Sequence, residues 1–102
     1  MSRRRVRVSP IVFETIDELL PPDRGPNGEP AARDFVSREL PVIIEKFAVD
    51  FDELPEVDGL SGAHALIAPG VFVRMFVVYG LLLTDGTVEL TSISLEPFEP
   101  LA

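Results

Sequence analysis

Ala63-His64-Ala65-Leu66-Ile67-Ala68-Pro69-Gly70-Val71-Phe72-Val73-Arg74-Met75-Phe76-Val77-Val78-Tyr79-Gly80-Leu81-Leu82-Leu83 and Asp85-Gly86-Thr87-Val88-Glu89-Leu90-Thr91-Ser92-Ile93-Ser94-Leu95 decide the fold. Between Asp58 and Asp85 the only formal charge is Arg74, and β-branched and aromatic residues dominate. Pro69-Gly70 and Asp85-Gly86 cut the stretch, the second being the stronger hairpin signal. The reading is three antiparallel strands near 63–68, 71–83 and 88–95.

The middle strand is apolar on both sides. Val71, Val73, Met75, Val77, Tyr79, Leu81 and Leu83 alternate with Phe72, Arg74, Phe76, Val78, Gly80 and Leu82, the pattern of a strand covered on both faces. The segment upstream supplies only two helices, which form one layer on one face. The tail Pro97-Phe98-Glu99-Pro100-Leu101 hides part of the other face, and the remainder is expected to be a partner surface. Phe72, Arg74, Phe76 and Val78 are assigned to that partner-binding face, for a peptide laid across it or a two-fold copy of the chain.

Working outward, Val6 and Val8 alternate with Arg5 and Arg7 as in a half-buried strand. Ser9-Pro10 then opens a helix, the hydroxyl as N-cap and proline at the first helical position. Val12, Phe13, Ile16, Leu19 and Leu20 follow at helical spacing until Pro21-Pro22 stops them. Residues 21–30 form a proline- and glycine-rich loop. Ala32, Phe35, Val36, Leu40, Ile43, Ile44, Phe47 and Phe51 make one stripe on a long helix over 31–49, with Asp34 and Arg38 paired on its solvent side. Pro41 predicts a kink there, or two short helices in tandem. The result is one α+β domain over 1–102, strand–helix–helix followed by a three-stranded meander, with helices on one face and residues 1–5 as a flexible basic arm.

The 102 residues carry a net charge of −8, and no cysteine is present for a disulfide, a thiolate nucleophile or a zinc ligand. Four of the nine basic residues, Arg3, Arg4, Arg5 and Arg7, precede Val8. From Val8 onward five cations face 17 carboxylates, a net of −12. A broad phosphate-binding surface requires the opposite sign, so nucleic-acid contact is confined to the arm. No stretch has the roughly 20 apolar residues of a membrane span, and the basic start lacks a secretory pattern, so the expected compartment is the cytoplasm.

Val6-Arg7-Val8-Ser9-Pro10, the Ala31-Ala32-Arg33-Asp34-Phe35 helix with Leu40, Ile43 and Phe47, Phe72 to Val78, and Gly86-Thr87-Val88-Glu89-Leu90 together resemble the RelE/ParE toxin superfamily of bacterial toxin–antitoxin systems over nearly the whole chain. The resemblance implies a small cytoplasmic protein bound by an antitoxin peptide, whose relatives cleave messenger RNA on the ribosome or inhibit DNA gyrase. Nuclease members are basic near the C-terminus, whereas this chain ends Leu95-Glu96-Pro97-Phe98-Glu99-Pro100-Leu101-Ala102, with no ionisable base or proton donor.

Three residues are candidates for chemistry. Arg74 is too costly to bury unpaired, so it meets an anion or one of the carboxylates, the ordinary ion pair being the simpler outcome. His64 is the only imidazole. Aligning the hairpins through their turns sets it opposite Met75, with Ser94 beyond and Tyr79 and Ser92 on the same face. No carboxylate is placed to orient the ring, so a surface or turn-flanking histidine is expected. The acidic run 50–58 invites a calcium loop, but Leu54 and Pro55 occupy positions that need a ligand and glycine. Gly59-Leu60-Ser61-Gly62 lacks the spacing and lysine of a phosphate loop, so neither metal nor nucleotide cofactor is implied.

These readings converge on a diverged toxin-family protein that works mainly by binding an antitoxin-like protein. Two alternatives stand beside it: a ribosome-dependent messenger-RNA endonuclease with Arg74 as phosphate clamp, and a non-toxic homodimeric module.

Overall fold

Strand alternation and turn chemistry build a four-stranded mixed sheet in the order β1-β4-β3-β2, from β1 (Val6–Val8), β2 (Ala63–Ala68), β3 (Met75–Leu82) and β4 (Val88–Glu96). The structure, a computed structural model, describes residues 3–26 and 28–98. Expectations that touch Met1, Ser2 or the tail from Glu99 to Ala102 lie outside the described residues. The fold is α+β, with the predicted order of elements. β1 runs parallel to β4, Val6 opposite Val88 and Val8 opposite Leu90, so both valines face the core with their partners.

Helix α1 (Pro10–Leu19) begins as predicted at Pro10 and buries Val12 and Ile16 against the sheet. Ser9 sits at its cap, but its carbonyl rather than its hydroxyl takes the Val12 N–H, at 3.0 Å. Residues 32–50 are helical throughout, in three parts: α2 (Ala32–Asp34), a widened π-turn over Phe35–Glu39, and α3 (Leu40–Asp50). The wide turn, in which Leu40 N–H reaches back to the Phe35 carbonyl, stands immediately before Pro41. Proline lacks the donor for an ordinary α-turn and crowds the carbonyl four residues back, and the extra residue in the turn relieves both. The helix therefore passes through Pro41.

Asp34 is not on the solvent side and does not pair with Arg38. It is buried, accepting from Ala31 N–H at 2.9 Å and from Arg24 at 2.9 and 3.1 Å, and so fastens the proline-rich loop to the start of the long helix. The Arg24 hydrogen bonds, then the Ala31 amide, hold its pKa down at about 2.

The hairpin at Asp85-Gly86 forms as read, with Leu83 N–H bonded to Thr87 O at 2.8 Å and Gly86 at φ +89°. The first hairpin differs. β3 starts at Met75 rather than Val71, and residues 69–74 form its loop. Glu39 is the reason: its buried carboxylate accepts the Val71 N–H at 2.7 Å and the Phe72 N–H at 3.4 Å, taking both amides out of the ladder. A Cβ on Gly70 would meet this carboxylate and lie 2.8 Å from Val73, so only glycine permits the approach. The register consequently sets His64 opposite Gly80, not Met75, and Ala65 opposite Tyr79. The difference is an odd number of residues, which moves His64 to the opposite face from Tyr79.

A bulge at Tyr79/Gly80 leaves Thr91 as the extra residue on β4. At Gly80 the Phe47 ring packs onto the strand, and a Cβ there would stand 2.6 Å from it. Helices α1 and α3 cover one face, where Phe76, Val78, Leu90, Ile93 and Leu95 are buried. Of the partner face assigned to Phe72, Arg74, Phe76 and Val78, the strand residues Phe76 and Val78 lie on the face that the helices cover, while Phe72 and Arg74 lie in the loop before the strand. The outer face carries Met75, Val77, Tyr79 and Leu81.

Candidate functional site

Between α3 and β2 the helix layer stops short. Arg38, Glu39, Val42, Ile43 and Lys46 form one wall of a slot of about 570 Å³; Leu66, Ala68, Pro69, Val71 and Phe72 form the other, with Phe76 beneath. The lips are Val71, 76% exposed, and Val42, 68% exposed, the two most exposed large apolar side chains among the described residues. Glu39 fixes the hairpin-loop wall through its two amide bonds. Of the assigned partner face, Phe72 and Phe76 thus line an open site, while Val78 is wholly buried.

Sequence reading missed Glu39 and the slot. The signal for Glu39 was its place in the apolar row Phe35, Glu39, Ile43, Phe47, where a carboxylate must find buried donors. Nothing in the sequence announced that those donors would be Val71 and Phe72.

The three candidates for chemistry do not converge. His64 is buried, contrary to the surface expectation: its ring lies 4.2 Å from Phe51, and Nδ1 is 2.7 Å from the Leu54 carbonyl, so Nδ1–H donates. Nε2 is 3.9 Å from the exposed Glu56 carboxylate, so a carboxylate does face the ring. The bonds Ala65 N–H to Pro55 O and Val57 N–H to Ala63 O lay residues 55–57 along the β2 edge, and His64 ties that segment down. Its role in the fold is structural. Tyr79 stands on the outer face, 39% exposed, opposite Ser92. Arg74 stands at the sheet's end, its Nη1 3.4 Å from Glu96, with both side chains more than half exposed.

The described part of the basic arm is docked. Arg4 N–H bonds Ala48 O at 2.8 Å, and its guanidinium grips Asp52 at 2.9 and 3.1 Å above the Phe51 ring. Arg3 pairs with Glu45, and Arg7 with Glu89 at 3.0 Å. Asp50 is shared with Lys46, so two carboxylates of the acidic run are held by cations. Among the described residues no cluster of His, Asp and Glu is placed to hold a metal, and no helix is long and apolar enough to cross a membrane.

Comparison with known proteins gives no matching family model, no matching curated protein and no matching solved structure.

Proposed function

We propose that this chain is a protein-binding module of the RelE/ParE-like kind that engages an antitoxin-like partner. The strand–helix–helix–meander order and the single helix layer support the family reading. The observation that carries the binding reading is the slot beside α3, whose apolar lips Val42 and Val71 stand in solvent over the buried Ile43 and Phe76 and the half-buried Leu66, Ala68 and Phe72. Separation of His64, Tyr79 and Arg74 onto the interior, the outer face and the sheet's end weighs against the nuclease alternative.

Induced expression of the chain alone in a bacterial host, read by growth and by messenger-RNA integrity, tests this. Growth arrest with intact messenger RNA is the expected result. Arrest with cut messenger RNA would transfer the function to the endonuclease reading, and unimpaired growth would favour the inert module. The homodimeric reading has its own support in the outer face, where Tyr79 and Ile67 are exposed beside Val77. Light scattering on the purified chain decides it.

A further inference from the structure

The walls of the slot describe the segment that would fill it. Its helix wall is the row Arg38, Val42, Lys46, a cation, an apolar side chain and a cation one α-helical turn apart, spanning about 12 Å. Glu39, the acid within the slot, already accepts two loop amides. Lys46 is shared with Asp50 at 3.0 Å, and Arg38 enters no ion pair among the described residues. In a chain of net charge −8, this site presents positive charge around an apolar floor.

Backbone geometry excludes strand addition as the main mode. Residues 55–57 already occupy the β2 edge at Ala63 and Ala65, leaving only the neighbourhood of Ile67 to bond an added strand. What is missing is side-chain cover: Leu66 and Ala68 point to the helix side of the sheet yet remain half-buried, with α3 on one flank only.

We propose that the slot takes an amphipathic helix of a partner protein, laid beside α3, with an apolar stripe on Val42, Leu66 and Phe72 and two carboxylates about two turns apart facing Arg38 and Lys46. This rests on the reading of the slot as the partner site and adds the conformation and charge of what binds there.

The test is a selection of helix-length peptides from a random phage-display library on the immobilised full chain, followed by titration of the recovered peptides. Two double variants serve as probes, Val42→Gln with Val71→Gln for the apolar lips and Arg38→Gln with Lys46→Gln for the charges. Among the described residues Arg38, Val42 and Val71 make no side-chain hydrogen bond or ion pair and Lys46 pairs with Asp50, and thermal melting checks that both variants remain folded. The expected peptides become helical on binding and carry paired acids. They lose about tenfold or more in affinity on the lip variant and about fivefold on the charge variant, with the wild-type affinity falling as salt is raised. Peptides that need the lips but are basic, or bind extended, would overturn this proposal and leave the slot reading standing. Recovery of no binder, or of binders indifferent to the lip variant, would overturn both.

Discussion

On β3 and β4 the side chains facing the helices, Phe76, Val78, Ile93 and Leu95, are buried; on β2 the equivalent Leu66 and Ala68 are half-buried. The residue types are alike, so burial here is decided by the neighbouring layer rather than by the strand. α1 and the Phe47 face of α3 roof the centre, and Phe51 reaches only the His64 end of β2. An apolar inward face is thus a demand for cover, and the part the chain leaves unmet is where a partner gains most from binding.

That contrast breaks most visibly through Phe47. Its ring is fully buried and packs on Gly80, so Phe47→Ala is expected to cost about 3–5 kcal/mol in urea unfolding. Val42→Gln, five residues earlier on the slot side, should stay within about 0.5 kcal/mol of the parent. Comparable losses at both positions would show that the slot is part of the closed core. Gly80→Ala sharpens the same point from the sheet side. The added methyl would enter the Phe47 ring, and overpacking of this kind costs about 1–3 kcal/mol. An unchanged urea midpoint would mean that the ring can move off β3.

The elements legible in the sequence were those set by local rules. Pro10 opened a helix, Asp85-Gly86 closed a hairpin, and the stripe from Ala32 to Phe51 faced inward, because capping, turn chemistry and periodicity act over a few residues. Two of the departures arose from polar contacts between segments apart in sequence. Asp34 left its neighbour Arg38 for Arg24 across the loop, and Glu39 captured amides more than thirty residues away, opening the first hairpin and turning His64 inward. Because strand pairing has a period of two, that odd shift is enough to move His64 from the Tyr79 face to the Gly80 face. The surplus of apolar surface was readable from the double-sided strand, but its location depended on how far the helix layer reaches across the sheet.

The buried Asp34 and the exposed Arg74 extend the comparison to ion pairs. Asp34 titrates near 2 in the fold, below the roughly 3.9 of an unfolded aspartate, so its contribution is complete above about pH 4 and is lost as pH falls toward about 2. Urea midpoints measured down this range should fall more steeply for the parent than for Asp34→Asn. Parallel curves would show that the Arg24 contact does not hold in solution.

The smallest effect is expected at Arg74. The sequence favours an ordinary ion pair for Arg74 over a contact to a bound anion, and a buried pair of that kind would cost several kcal/mol to break. In the fold its guanidinium and the Glu96 carboxylate are both mostly in water and 3.4 Å apart. Exposed pairs of this kind contribute about 0–1 kcal/mol, because solvent screens the attraction and two long side chains must be held still. Arg74→Ala should therefore unfold within about 0.5 kcal/mol of the parent, with a difference that shrinks further in high salt. The backbone bond from Arg74 N–H to the Glu96 carbonyl, at 2.8 Å, survives the substitution and keeps the strand ends together. A loss of several kcal/mol would mean that the pair is covered in solution, and the β3–β4 end would then belong with the closed centre of the sheet rather than with its open edge.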